Sequence, residues 1–155
     1  MFRGEQLTDG KVLLEVTDKH LNTGLRGVPV GTCRTSFVTP DEGVHYCGYP
    51  ISELANFDPE DIVYLLFNKE LPTAEQSAEF RQELAARAIV PGDMKSIFQT
   101  LPKDGHPMDW LSVGIHALGM FETVGDWKED ALNLIARMPR LMGLMFRIRE
   151  NRIDN

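Results

Sequence analysis

The sequence predicts a mainly α-helical fold with one small β element. The stretch Leu101–Phe121 combines a breaker cluster, a helix start and a long apolar run. From Pro50 onward, helix-start signals and helical apolar spacing recur along the whole chain. Between Gly24 and Gly48, valine, threonine and phenylalanine surround the turn-forming segment Pro40–Gly43, which predicts a hairpin. There is no internal repeat and no long linker.

The central element is a predicted helix over Pro107–Phe121. His106 occupies its N-cap position, and Pro107 takes the first helical position, where a missing N–H costs nothing. Asp109 in the first turn suits the positive end of the helix dipole. Because the apolar residues point in nearly every direction, we expect protein on most sides of this helix. Four residues at steps of three, four and three share one face and are the predicted subunit interface: Met108, Leu111, Ile115 and Leu118.

Other helices are predicted from local signals. Asp58 and Pro59 indicate an N-cap and a first helical residue. The Thr73–Gln76 segment fits a capping box that opens an amphipathic surface helix ending at about Ala88. A last helix is predicted from about Lys128 to Arg149, with Pro139 expected to kink or break it near Met138. One further stripe indicates a buried helix face: Met94, Ile97, Phe98 and Leu101.

The N-terminal part is predicted to be an arm over residues 1–23, followed by a hairpin at about 28–48. In the arm, Val12–Val16 predicts a short strand or an extended segment. The hairpin would pair 28–38 with 44–48 and turn at 39–42. In that register Cys33 would face about Gly48 or Tyr49 and not Cys47, so we expect no disulfide between the two cysteines.

Composition and charge exclude several classes of function. The net charge is −7, but the last nineteen residues carry five arginines against two carboxylates, a basic tail of +3. An acidic chain with one short basic tail is a poor nucleic-acid binder. No apolar run reaches the roughly 18 residues that span a bilayer, and the polar Met1–Gly10 stretch is no secretory signal. We therefore expect no membrane partner, reduced thiols and a cytoplasmic location.

No motif in the sequence carries catalytic or cofactor chemistry. It contains no CxxC, HExxH, GxGxxG, phosphate loop or nucleophile elbow, so no metal and no cofactor is expected. His20 and His45 are expected in exposed, extended segments. His116, within the central helix, is expected as a hydrogen-bonded buried or interface side chain, and His106 as a helix cap. The sequence assigns no catalytic, cofactor-binding or metal-binding residue.

Several short stretches resemble the citrate synthase family in order and spacing. The main one is Leu101–Asp109, which reads LP-x-x-x-HPMD and leads into an apolar helix rich in small residues. The resemblance covers roughly residues 24–150. The chain departs from the family's YRGY pattern at Cys47, where many members have arginine. The other matching stretches are Gly24–Val30, Tyr46–Ala55, Val63–Leu66 and Glu70–Thr73.

The resemblance implies a multi-helical fold with a small N-terminal hairpin, placed in one segment over residues 24–155. It also implies part of an enzyme that condenses acetyl-CoA with oxaloacetate to citrate in the tricarboxylic acid cycle. Complete members are more than twice as long, and their catalytic residues lie later, on motifs resembling GPLHGG and GFGHRxY, which this sequence lacks. The chain thus resembles the front portion of a citrate synthase, inactive alone, that forms a homodimer or a complex with a C-terminal catalytic half. The two substrates would bind only to the complete enzyme.

Three interpretations stay open from the sequence. The chain is either a scaffold segment of a citrate synthase or a non-catalytic interaction or regulatory protein derived from that fold. A third interpretation is part of a related enzyme, a 2-methylcitrate synthase or a citryl-CoA lyase. The residues that separate those substrates are not in this chain.

Overall fold

The computed structural model describes residues 12–24 and 26–152, and the chain divides into two compact units at Pro72 and Thr73. Described elements of the first unit are a 3-10 helix (Asp18–Asn22), β1 (Ser36–Thr39), β2 (Gly43–Tyr46), β3 (Tyr49–Pro50), α1 (Ile51–Leu54) and α2 (Pro59–Asn68). Those of the second are α3 (Ala74–Arg87), α4 (Asp93–Thr100), α5 (Pro107–Glu122) and α6 (Trp127–Arg149). The predicted mainly α fold with a small β element is confirmed.

The hairpin is shorter than predicted. Strands β1 and β2 pair from Ser36 opposite Tyr46 to Thr39 opposite Gly43, so the turn lies where it was predicted. Residues 28–35 form no strand. Cys47 N donates to the Thr35 carbonyl oxygen at 2.8 Å, but β2 then turns back into β3 and offers the earlier residues no partner strand. This second turn uses Cys47 and Gly48, both at positive φ, the conformation that a two-residue hairpin turn requires.

The described part of the N-terminal arm before the 3-10 helix forms no strand. Residues 12–17 have no ladder partner and lead into the 3-10 helix at Asp18. His20 closes that turn, since its Nδ1 lies 3.0 Å from the Thr17 backbone nitrogen that donates to it. The beginning of the predicted arm, residues 1–11, lies outside the described residues.

Helix starts follow the local signals. Asp58 is the N-cap of α2, and Pro59 is its first residue. Both bonds of the predicted capping box at α3 are present: Gln76 N donates to Thr73 Oγ1 at 3.3 Å, and Thr73 N donates to Gln76 Oε1 at 2.9 Å. These contacts satisfy donors that the first helical turn leaves without a partner.

The core of the second unit lies between α4, α5 and α6. Met94 and Phe98 of α4 are fully buried, as the stripe predicted, with Ile97 and Leu101 packed against the same cluster. The Phe98 ring stacks on Trp110 of α5 at a centroid distance of 5.8 Å. The remaining fully or nearly fully buried members come from α5 and α6: Ala117, Leu118, Leu141, Met145 and Ile148.

Helix α6 runs through Pro139 as one helix, so of the predicted kink or break near Met138 the break is wrong and the kink stays a prediction. Proline removes one intrahelical hydrogen bond, but packing on both sides holds the helix together. Ala136 lies before the proline and Leu141 after it, and both are buried. Burial of these flanking residues offsets the local cost of the missing donor.

Candidate functional site

Helix α5 begins as the sequence predicted. His106 is its N-cap, and its Nδ1 accepts a hydrogen bond from the Met108 backbone nitrogen at 3.2 Å. Trp110 anchors the helix by donating from Nε1 to the Pro102 carbonyl oxygen at 3.0 Å. The predicted capping role of His106 is confirmed, and the helix ends at Glu122, one residue beyond the predicted end.

The structure distributes the four predicted interface residues between surface and core. Met108 is 59% exposed, Leu111 and Ile115 are half-buried, and Leu118 is only 4% exposed because it packs into the cluster with α4 and α6. Leu118 therefore supports the face from inside, and Met108, Leu111 and Ile115 form its accessible part. Within the described chain, α5 is covered on one side only, and its interface role stays a prediction.

The opposite side of α5 carries apolar side chains that the sequence reasoning did not assign to an interface. Met120 is 88% exposed, and Val113, seven positions before it on the same side, is also exposed. At about 100° per residue, Met120 lies roughly opposite the Met108 and Ile115 positions. Sequence spacing alone did not distinguish these faces, because a helix apolar all round has no polar side to orient it.

A shallow cavity of about 180 Å³ lies between the end of α5 and the first half of α6. Ile115, Leu118 and Leu134 line its apolar part. At its rim Glu122 and Arg137 form an ion pair, and Arg137 Nε also donates to the Ile89 carbonyl oxygen at 2.9 Å. These charged groups are engaged with protein partners, which favours a structural role over a catalytic one.

The neighbouring polar contacts tie α3 and the α5–α6 turn to the start of α6. Arg87 donates to Glu129 at 2.7 Å, to Asn133 at 2.9 Å and to Glu83 at 2.6 Å. The bond to Glu129 is the main reason that the pKa of Arg87 is raised, so the guanidinium stays charged. Asp130 accepts hydrogen bonds from the Val124 and Gly125 backbone nitrogens at 2.8 and 3.3 Å, which fixes the turn.

Three of the four histidines lie differently from the sequence expectation. His20, expected in an exposed, extended segment, is half-buried within the 3-10 helix. His45 is buried on β2, where it stacks on Phe37 at 4.5 Å with its Nδ1 lacking a hydrogen-bond partner, so the predicted exposure is wrong. Cross-strand pairing places these two rings directly opposite each other. His116 is exposed, and its Nδ1 lies 2.7 Å from the Ser112 carbonyl oxygen of its own helix. None of these arrangements forms a catalytic constellation.

Residues 12–24 and 26–152 contain no group of three or more His, Cys, Asp or Glu side chains that could hold a metal ion. In the same described ranges, no helix is long and apolar enough to cross a bilayer.

The two thiols are free and differ in environment. Exposed Cys33 Sγ lies 3.4 Å from the hydroxyls of both Ser36 and Thr35, and hydrogen bonds from these groups, Ser36 first, lower the pKa of Cys33 to about 6. Cys47 is half-buried, with its Sγ 3.6 Å from the Leu65 carbonyl oxygen. Cys33 is therefore largely a thiolate at neutral pH.

We expect iodoacetamide to label Cys33 faster than Cys47, with a rate that rises through a midpoint near pH 6. Replacing Ser36 by alanine should move this midpoint upward because one donor to the thiolate is lost. Cys33→Ser, which leaves Cys47 alone, is the control. After mild unfolding without reductant both thiols should label. Equal rates with a midpoint near about 8.5, or a mass two hydrogens low with no label, would contradict this account.

Comparisons with known proteins agree with the fold and the motifs. A family profile described as citrate synthase, C-terminal domain, matches residues 24–155. Citrate synthase 3, mitochondrial, of Saccharomyces cerevisiae is 31% identical over 150 residues, covering 79% of this chain and 31% of the relative. The 2-methylcitrate synthase of Shewanella oneidensis is 32% identical over 143 residues, covering 88% of this chain and 38% of the relative.

Structural comparison supports the same fold. The crystal structure of citrate synthase from Thermotoga maritima superposes with a TM-score of 0.71 at 24% identity, covering 83% of this chain and 35% of that chain. The chain thus spans about a third of the length of the relatives that it matches. The match over residues 24–155, which is more than half of the chain, leads to one conclusion: the chain belongs to the citrate synthase family.

Proposed function

We propose that the chain is the N-terminal segment or subunit of a citrate synthase, supplying scaffold and dimer interface without being catalytic by itself. The observation that carries the proposal is the family match over residues 24–155 in a chain that spans about a third of its relatives. The N-terminal placement rests on the order of the sequence motifs, since the matching profile is described as a C-terminal domain.

The sequence supports a non-catalytic role for this segment. Neither GPLHGG nor GFGHRxY occurs in it, so no side chain matches the family's acid–base residues. The local geometry points the same way, because His106 caps α5 through Nδ1 and His116 contacts the Ser112 carbonyl of its own helix. General acid–base catalysis requires side chains that converge on a reacting group. His106 and His116 are instead engaged within their own helix.

We expect the purified chain to release no thiol above background when supplied with acetyl-CoA and oxaloacetate. The physical reason is the missing set of histidine, aspartate and arginine residues that would polarise and deprotonate the substrates. The measurement is a colorimetric thiol-release assay, with a complete citrate synthase as the positive control. Turnover that survives repurification, and is lost in His106→Ala or His116→Ala, would contradict the proposal.

A second candidate is part of a 2-methylcitrate synthase, because the 32% identity to the Shewanella oneidensis enzyme is as high as the 31% identity to the Saccharomyces cerevisiae citrate synthase. The adjoining coding sequence separates a split enzyme from an interaction or regulatory protein, because a downstream frame with both missing motifs would supply the catalytic half. With that half in hand, assays of the assembled complex with acyl-CoA esters of different lengths would distinguish citrate synthase from 2-methylcitrate synthase and citryl-CoA lyase.

A further inference from the structure

The two cysteines of the first unit both lie against Thr35. Cys33 Sγ is 3.4 Å from Thr35 Oγ1, and Cys47 Sγ is 3.8 Å from the Thr35 carbonyl oxygen. The Cys47 backbone nitrogen also donates to that oxygen at 2.8 Å, so Thr35 and Cys47 face each other where the β1–β2 ladder ends. A single residue is therefore in contact with both thiols.

Cys33 has the environment of an oxidisable thiol. It is exposed, and the hydroxyls of Thr35 and Ser36 stabilise its thiolate, which predominates at neutral pH. Peroxides react with thiolates, and accessible thiolates are oxidised first. Cys47 differs, because it is half-buried and its Sγ donates to the Leu65 carbonyl oxygen of α2 at 3.6 Å. The pair thus combines one exposed thiolate with one sheltered thiol.

The backbone before β1 can bring the two sulfur atoms together. Cys33 precedes Thr35 by two residues, which is the diagonal position to Cys47, and on paired strands such Cα atoms are about 7–8 Å apart. Because a disulfide joins Cα atoms up to about 6.8 Å apart, bonding requires a movement of roughly 1–2 Å. Residues 28–34 belong to no helix or strand, and residues 29–34 are exposed. The chain around Cys33 is therefore free of the ladder contacts that would oppose this movement.

We propose that the hairpin carries a redox-sensitive switch, in which a peroxide joins Cys33 to Cys47 as an intramolecular disulfide. The Cys33 sulfur attacks one oxygen of hydrogen peroxide, the O–O bond breaks, and the second oxygen leaves as water after taking up a proton. The Cys47 sulfur then attacks the resulting sulfenic acid, and the S–O bond breaks with release of a second water that carries the Cys47 proton. Two thiols lose two electrons in all, and one peroxide is reduced to two waters.

Oxidation would change how the hairpin is held against α2. The Cys47 thiol gives up the hydrogen that it donates to the Leu65 carbonyl oxygen, and the new bond closes residues 33–47 into a loop. The Leu65 carbonyl keeps the hydrogen bond from the Lys69 backbone nitrogen at 2.7 Å, so no buried acceptor is left without a donor. The switch therefore exchanges one contact with α2 for a covalent link between the segment before β1 and the β2–β3 turn.

The test is treatment of the purified chain with hydrogen peroxide at neutral pH, followed by intact-mass measurement and thiol labelling under denaturing conditions. We expect a monomer mass two hydrogens lower, loss of label at both thiols together, and recovery of both with dithiothreitol. Arg34 is the one tryptic site between the two cysteines. Digestion should therefore release the peptide 27–34 linked to the peptide 35–69. Without peroxide both thiols should stay free.

Single-cysteine variants separate the two chemical steps. In Cys47→Ser, Cys33 should stop at the sulfenic acid, which dimedone traps as a stable adduct. In Cys33→Ser, Cys47 should lose its label at least about tenfold more slowly than Cys33 does in the first variant, because a sheltered thiol reacts poorly. Because Cys47 adopts a positive φ, Cys47→Asn, which tolerates that conformation, provides a second variant at this position. Circular dichroism of the reduced variants confirms that they are folded.

Ser36→Ala tests whether the hydroxyls activate Cys33. It should slow oxidation of Cys33 at neutral pH, and the difference from the wild-type chain should vanish at high pH, where the thiolate forms without this donor. A merely structural role of Ser36 would not produce this dependence on pH.

Three results would overturn the proposal. Oxidised Cys33 beside a Cys47 that keeps its label in the wild-type chain would show that the second thiol does not reach the sulfenic acid. A disulfide-linked dimer in place of the oxidised monomer would show that the bond forms between chains. Equal rates of oxidation in Cys33→Ser and Cys47→Ser would exclude Cys33 as the thiol that reacts first.

Discussion

Replacing Gly114 by alanine is expected to lower the free energy of unfolding by about 1–3 kcal/mol. In most helix interiors the same exchange stabilises by about 0.5–1 kcal/mol, because alanine loses less conformational freedom on folding. At Gly114 a Cβ atom would lie 2.8 Å from Phe98 Cζ and 3.3 Å from Leu141 Cδ2. Phe98 is fully buried and stacked on Trp110, so its ring has nowhere to move.

Gly119 provides the matched control on the same helix. A Cβ there would meet only Thr123 Oγ1, at an ordinary 3.8 Å, and the residue is exposed. We expect Gly119→Ala to be neutral or stabilising, and Gly114→Leu to cost more than Gly114→Ala. Urea unfolding followed by tryptophan emission reports on this unit, since Trp110 and Trp127 both lie in it. Equal stability of Gly114→Ala and Gly119→Ala would mean that α4 and α5 pack less closely than described.

Replacing Ile115 or Leu111 by aspartate is expected to abolish the self-association that we propose for α5. A buried large side chain contributes about 1.5–3 kcal/mol, and a two-fold interface counts it twice, so the loss is roughly 3–6 kcal/mol, a hundredfold or more in the dimerisation constant. Facing carboxylates across the axis would add to this loss. Sedimentation equilibrium over a concentration series measures it.

Leu111 and Ile115 are half-buried within the chain itself, so aspartate at either position also destabilises the fold. A further variant is therefore needed to separate loss of association from loss of folding. Met108→Asp serves this purpose, because Met108 shares their face and is largely exposed. Met120→Asp, on the opposite side of the helix, should leave association intact. A wild-type chain that remains a folded monomer at high micromolar concentration, with no partner bound, would exclude the interface.

Signals contained in a few neighbouring residues determined much of this fold. The Thr73–Gln76 capping box and the His106–Pro107 start form as predicted, because their side chains satisfy backbone donors within one turn. The Asp58–Pro59 start also forms at the predicted position, with proline as the first helical residue. The Met94–Phe98 stripe predicted a buried face for the same kind of reason. Apolar residues three and four positions apart meet on one side of any helix.

Features that depend on distant partners were decided only by the tertiary structure. The strand was predicted from residue 28, but pairing begins at Ser36, because the turn at Cys47–Gly48 removes the partner strand. His45 is buried because Phe37 lies opposite it across the hairpin. Pro139 stays within a helix because packing on both sides outweighs one lost hydrogen bond.

For the candidate surfaces too, the sequence predicted one part and only the tertiary structure decided the other. Helical spacing by itself placed Met108, Leu111, Ile115 and Leu118 on one face, and the absence of catalytic motifs followed from the residues alone. Which of those side chains is accessible depended on how α4 and α6 cover α5, and Leu118 proved to be inside. Helix α6 is likewise apolar on two sides, and only the structure shows that Met142 and Phe146 are exposed while Leu141 and Met145 are buried. Spacing specifies which residues share a face, and only packing decides which face is left for a partner.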